Sequence, residues 1–268
     1  MDDVLKKIYA SKATYLDGEM EREPYEQLRE CALASVATRR SFLGALRASD
    51  GHAIIAEIKR ASPSAGLIAR DFDPVAIGRT YDEAGADAVS ILTEQDHFLG
   101  DITFLNAVRA VASRPILRKD FLWTPYHVAQ TAAYGADAIL LIVSGLTDEQ
   151  IATCIHESKA YALDVLVEVH DAEELKRALQ FDISVVGVNN RNLRTMVTDL
   201  AVSEHILPQV PKGVFGVAES GMRDFDDVER LRNAGARGFL IGEALMRSGD
   251  STTMLASLRR ARVAVSQK

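Results

Sequence analysis

Three stretches of the chain repeat one another: EAGADAVSILT from Glu83, AYGADAILLIV from Ala133 and NAGARGFLIGE from Asn233. Each joins a helix tail to a Gly-Ala stop, one polar residue and a short apolar run. Glycine just past a helix suits the left-handed turn that ends it, and an apolar run of this length suits a strand covered on both faces. This repeat constrains the fold more than any other feature, because strands that alternate with helices lie parallel in one sheet.

The helix starts agree. Asp73-Pro74 and Thr124-Pro125 set a capping side chain before proline at the first helical position. Thr147 with Gln150, and Asp171 with Glu174, resemble capping boxes. Strands are predicted at 53–59, 88–93, 115–119, 138–143, 165–169, 185–189, 214–218 and 238–241. Eight such units fit a (β/α)8 TIM barrel of about 250 residues; the competing doubly wound sheet lacks a Gly-rich turn after its first strand. The class is therefore α/β, with the barrel at 51–268 and a helical extension at 1–50. Leu5, Ile8 and Tyr9, then Leu28, Ala32 and Leu33, form the extension's apolar stripes. It is expected either to plug one mouth of the barrel or to contribute to the site. No linker or composition shift divides the chain, which reads as a single domain.

Composition narrows the function. With 47% hydrophobic and 26% charged residues the chain is globular. A net charge of -7 argues against a nucleic-acid surface, which needs a basic footprint, but leaves room for a local anion site. Cys31 and Cys154 are too few for a disulfide scaffold or a Cys-rich metal site. The start, MDDVLKKIYASK, has no apolar signal core, and no stretch approaches a membrane span. The expected setting is the cytoplasm. The six histidines are scattered without ligand spacing, so no metal is expected.

Barrel enzymes place their chemistry where the strands end, and there the polar residues gather. The first strand ends with Glu57 and Lys59, the third with Lys119-Asp120 and the fifth with Glu168-Val169-His170. The sixth ends with Asn189, Asn190 and Arg191, the seventh with Glu219-Ser220-Gly221 and the eighth with Gly242-Glu243. Leu117 shares a face with Lys119, as Leu166 does with Glu168, so a charge tops an apolar layer. A single charged residue at a strand end is more often a loop residue than a catalyst. Two lysines and two glutamates at one mouth are harder to explain that way, since buried Lys and Glu are rare unless paired. Ser220-Gly221 and Gly242-Glu243 suit a phosphate site of the kind this fold places at its last two loops, although isolated tight turns would look the same. Ser62-Pro63-Ser64 could add hydroxyls or simply turn the chain; Phe121 and Trp123 could line a pocket or anchor a loop.

EIKRASPSAG at 57, LRKDF at 117, VEVHD at 167, VNNRNL at 188, AESG at 218 and GFLIGEALM at 238 together resemble the indole-3-glycerol-phosphate synthase family. The resemblance runs in register over all eight strands, and DVLKKIYASK resembles that family's N-terminal extension. It implies conversion of 1-(2-carboxyphenylamino)-1-deoxyribulose 5-phosphate to indole-3-glycerol phosphate, with loss of CO2 and water, in tryptophan biosynthesis and without metal or organic cofactor. Residue by residue, it implies Lys119 as general acid, Glu168 as base and Lys59 as second cation. Glu57 and Asn189 would position the lysines and substrate hydroxyls, with Ser220 also in the catalytic set. Ser62 and Arg191 would touch substrate, Leu122 and Leu240 would flank its ring, and Ser220, Gly221, Gly242 and Glu243 would hold its phosphate. Some members carry serine where Glu243 stands, so Glu243 is expected to offer its backbone N–H and turn its carboxylate away. Lysines that share a site are expected to have lowered pKa values.

The implied partner is a small phosphorylated substrate, with no nucleic acid, no membrane and no fused second enzyme, in a monomer or weak homo-oligomer. Three other readings keep the barrel: a Schiff-base aldolase using Lys119 or Lys59, the isomerase acting one step earlier, and a phosphosugar-binding barrel without catalysis.

Overall fold

The structure is a computed structural model that describes residues 4–193 and 195–259. The outer ends of the expected extension and barrel, 1–3 and 260–268, lie outside the described residues.

Eight parallel strands close into a barrel: β1 (Ala53–Ile58), β2 (Ala88–Leu92), β3 (Ile116–Lys119), β4 (Ala138–Ile142), β5 (Asp164–Val169), β6 (Val185–Asn189), β7 (Phe215–Glu219) and β8 (Gly238–Ile241). Each pairs with its neighbour in sequence, and β8 pairs with β1, Ala53 opposite Gly238. Nearly every strand residue is buried, as a sheet walled by helices outside and filled by side chains inside requires. The Gly-Ala stops behave as their chemistry demands: Gly85, Gly135 and Gly235 all have positive φ.

Among the described residues three α-helices precede the barrel: α1 (Val4–Arg22), α2 (Tyr25–Ala34) and α3 (Phe42–Ala48). The wall follows with α4 (Pro74–Glu83), α5 (Thr103–Arg109), α6 (Pro125–Ala133), α7 (Asp148–Ala160), α8 (Ala172–Ala178), α9 (Ala201–Ile206), α10 (Phe225–Asn233), α11 (Glu243–Arg247) and α12 (Ser251–Leu258). The capping side chains act as the sequence indicates. Asp73 accepts from the N–H groups of Val75 and Ala76, and Thr147 and Gln150 close a reciprocal box. At α8 the box is displaced: Asp171 caps Glu174, but the Glu174 carboxylate takes the N–H of His170 instead of that of Asp171.

The extension works at both ends of the barrel. Phe42 and Leu46 of α3 are buried with Ala53 and Phe215, where the strands begin, while the Asp164 carboxylate accepts the N–H of Leu43. That is a plug. α2 runs along α6, and α1 crosses the opposite mouth, where the strands end. There Lys12 pairs with Asp120 at 2.8 Å, Ser11 and Tyr15 bond Asp96, and Tyr9 sits edge-on to Phe121 and Trp123. Two apolar layers result: one between barrel and helices, and one inside the barrel that Leu5 and Ile8 of α1 help to close. No described helix is long and apolar enough to cross a membrane.

Candidate active site

Alternation along the strands builds the site. Ile55, Leu117, Leu166 and Val217 fill the barrel interior, and two residues on, one layer nearer the mouth, come Glu57, Lys119, Glu168 and Glu219. Glu57, Glu168, Asn189 and Glu219 are 4%, 1%, 6% and 1% exposed. So much buried charge is stable only where it is paired.

The pairing centres on Lys119. Its ammonium donates to Glu168 Oε2 at 2.6 Å and stands 3.1 Å from Glu219 Oε2. Asn189 Nδ2 donates to the other oxygen of Glu168 at 3.0 Å, and its own Oδ1 accepts the N–H of Arg191 at 3.0 Å. Lys59 lies just past β1, and its ammonium returns to Glu57 Oε1 at 2.5 Å. The expectation of a lowered lysine pKa fails for Lys119. Burial opposes its ammonium, but the carboxylates of Glu168, Glu219 and Glu57 outweigh burial and hold the pKa above the ordinary lysine value. Its close charged neighbours are glutamates rather than a second lysine.

The two glutamates on Lys119 diverge. Burial works against charge on both. Glu168, with Lys119 and His170 beside it, is held well below the usual carboxylate range. Glu219 accepts no hydrogen bond among the described residues, faces the negative Glu168, and is pushed up to about 8. The two carboxyls are thus pushed in opposite directions, the division of an acid–base pair.

Room for these carboxylates comes from missing side chains. A Cβ at Gly187 would overlap the Glu219 carboxylate, and one at Gly242 would overlap that of Glu57. Ser220 and Gly221 follow β7 with φ of 64° and 89°. Ser220 is strained there, as non-glycine residues in the left-handed region are, by an amount on the order of 1 kcal/mol. Gly242 leads into α11, and the Glu243 carboxylate accepts from Arg247 Nε at 3.0 Å and lies 3.9 Å from Arg191. It is engaged with arginines at the rim of the cavity. After β1 a two-stranded ribbon (Ala61–Ser62 with Gly66–Leu67) brings Ser64 to Arg191, whose guanidinium donates to the Ser64 hydroxyl at 2.8 Å.

Glu57, Lys59, Ser62, Lys119, Glu168, Asn189, Arg191, Ser220, Gly221, Leu240, Gly242 and Glu243 all line one open cavity. Leu122 is the exception: it is buried in the layer between barrel and helices, whereas Phe121, with Phe98 and Leu193, lines the cavity wall. Glu219, named among the polar strand ends, carries no role in the family resemblance. Its signal was available in its parity with Val217.

Among the described residues the grouping of metal-type donors is Glu94, Asp96 and His97. The Glu94 carboxylate accepts the N–H groups of Asp96, His97 and Phe98, and Asp96 accepts from Ser11 and Tyr15. These groups fold a loop and dock α1.

Comparison with known proteins gives a consistent result. The family described as "Indole-3-glycerol phosphate synthase" matches residues 5–258. The indole-3-glycerol phosphate synthase of Acidithiobacillus ferrooxidans is 44% identical over 253 residues, covering 93% of this chain and 96% of that one. The protein of the same name from Koribacter versatilis is 42% identical over 260 residues, 96% of each chain. Among solved structures, thiamine phosphate pyrophosphorylase from Pyrococcus furiosus superposes with a TM-score of 0.57 at 18% identity, over 78% of this chain and 94% of that one. That last likeness is one of fold alone.

Proposed function

The chain belongs to the indole-3-glycerol phosphate synthase family, and from that premise we propose how its residues divide the reaction. The reaction is a carboxy-lyase step of tryptophan biosynthesis. It closes the ring of 1-(2-carboxyphenylamino)-1-deoxyribulose 5-phosphate, then releases CO2 and water to leave indole-3-glycerol phosphate.

In ring closure an aromatic carbon attacks the ketone, and the oxygen that becomes an alkoxide needs a proton. Lys119 supplies it. An ammonium whose pKa is raised stays charged until a stronger base, such as a nascent alkoxide, forms beside it. Departure of CO2 returns its electron pair to the ring and restores a neutral intermediate. Dehydration then needs an acid for the hydroxyl and a base for the ring proton. Glu168, held ionised, is the base. Lys59, paired with Glu57, is the second cation, and Glu219, its pKa raised by burial and by Glu168, stands within reach as a further acid. Asn189 holds Glu168 in place. The turns at Ser220-Gly221 and Gly242-Glu243 receive the phosphate through backbone N–H groups and the Ser220 hydroxyl. Ser62 and Arg191 meet the sugar phosphate, and Leu240 with Phe121 flanks the aromatic ring; Leu122 supports that wall from behind. We place the chain in the cytoplasm as a monomer or weak homo-oligomer, in keeping with its unpaired cysteines.

The observation that carries this reading is the Lys119 ammonium held between Glu168 at 2.6 Å and Glu219 at 3.1 Å in the cavity. The same observation disfavours a Schiff-base aldolase, whose lysine must lose its proton to attack. The test follows indole fluorescence with the carboxyphenylamino-deoxyribulose phosphate as substrate. Lys119→Ala is expected to lower kcat by roughly 10²–10⁴, the usual worth of a positioned general acid. Saturable binding without turnover in the unmodified chain would leave a binding barrel instead.

A further inference from the structure

His170 is a partly buried ionisable group beside the site that the steps above leave without work. It follows β5 directly and, two residues on from Glu168, keeps to the same face. Its ring is gripped from both sides. Nδ1 lies 3.0 Å from Glu174 Oε2, and the same oxygen accepts the His170 backbone N–H at 2.9 Å. Nε2 lies 3.3 Å from Glu168 Oε1, an ion contact without the alignment of a hydrogen bond. Glu174 is fixed in turn, because the Asp171 side chain caps its N–H at 2.8 Å.

We propose that His170 is a positioning residue: held by Glu174, it fixes Oε1 of Glu168 and thereby keeps Glu168, of the two carboxyls on Lys119, ionised as the base. This rests on the reading of Glu168 as the base given above.

Glu168 and Glu219 are both buried glutamates at the ends of inward-facing strand positions, and both reach the same ammonium. Lys119 already favours Glu168, to which it donates at 2.6 Å while standing 3.1 Å from Glu219. A second difference lies on the far side of Glu168, where Asn189 and His170 address Oε1 while Glu219 has no such partner. Both ring nitrogens of His170 face carboxylate oxygens, and only the doubly protonated imidazolium has a proton for each. The charged groups facing the ring are Glu168 on its own strand and Glu174 on α8; Lys119 from β3 and Glu219 from β7 stand beyond Glu168. Burial opposes the imidazolium, but the two carboxylates raise its pKa to about 10. A raised pKa means that the positive charge, and its hold on Glu168, is present throughout the neutral range and is lost only as pH climbs through that value. Removing the imidazolium lets the Glu168 pKa rise, so its base form gives way to the acid form at a higher pH.

The experiment measures kcat against pH for the unmodified chain, His170→Gln, His170→Arg and Glu174→Gln, with thermal midpoints alongside. The expected result for His170→Gln is an acid limb moved upward by about one unit, which is roughly a tenfold loss near the foot of that limb. At mildly alkaline pH its kcat stays within roughly threefold of the unmodified value. His170→Arg, which keeps a cation, returns part of the shift, and Glu174→Gln reproduces it at smaller size. Coincident acid limbs for His170→Gln and the unmodified chain overturn the inference. So does a loss by the same factor at every pH, which is what a merely structural residue would give. Glu168→Gln separates the two levels: full activity in that variant removes the reading beneath, whereas its inactivation together with unmoved limbs in the His170 variants removes the inference alone.

Discussion

Two glycines decide where the glutamates of the site can stand. Gly187 has no unusual φ, so alanine there meets no backbone objection; its methyl would instead overlap the Glu219 carboxylate. Overpacking of this kind costs about 1–3 kcal/mol. The carboxylate relieves it by leaving Lys119, and displacement of a catalytic group by about 1 Å lowers rates by around a hundredfold. Gly187→Ala is therefore expected to lower both the thermal midpoint and kcat. Adding Glu219→Ala should restore the midpoint and leave kcat low, because it removes the overlap but not the need for Glu219. Recovery of both, or of neither, in the double variant would place the overlap elsewhere. Gly242 stands in the same relation to Glu57.

At the scale of elements, α1 is attached to the mouth by an ion pair of great sequence separation, Lys12 with Asp120. Asp120 is fully buried, and although burial disfavours its charge, Lys12 and Arg118 hold its pKa well below the usual carboxylate range. It keeps Thr93, Arg118 and the N–H of Phe121 if Lys12 is lost. Lys12→Met should thus destabilise by about 1–3 kcal/mol rather than the larger figure for a stranded charge. A depressed carboxylate contributes stability above its unfolded pKa and loses it as pH falls through the folded value. The difference in thermal midpoint between the two proteins should then be full at neutral pH and shrink below about pH 3.8. A difference independent of pH would mean that Lys12 acts by packing alone. Such pairs also mark the limit of what the chain reveals by itself. The strands are legible to within a residue or two because pattern is local: β7 was expected at 214–218 and spans Phe215–Glu219. Glu219, named at the end of that strand, proves to be its last residue and inward-facing. Leu122 was misjudged because alternation ends with β3, so Phe121 turns to the cavity and its neighbour to the helices. The division of the extension, with a plug at one end and a helix across the other, depends on partners some hundred residues away, and no local pattern encodes it.

For the molecule as a whole, the extension and barrel share their apolar layers instead of possessing one each. Elements joined in this way unfold together. Denaturant curves followed by far-ultraviolet circular dichroism and by tryptophan emission should coincide, with a single m-value for the whole chain. An earlier emission change would mean that α1 leaves before the barrel opens. The reason emission can tell these apart lies in the edge-on contact of Tyr9 with Trp123. The sequence holds one tryptophan, and it sits where α1 meets the loop after β3, with its ring 5.6 Å from that of Tyr9 and 4.5 Å from that of His127. The molecule thus carries its own optical gauge at the junction of extension and mouth, and every photon it emits on selective excitation in the empty state reports from that one place.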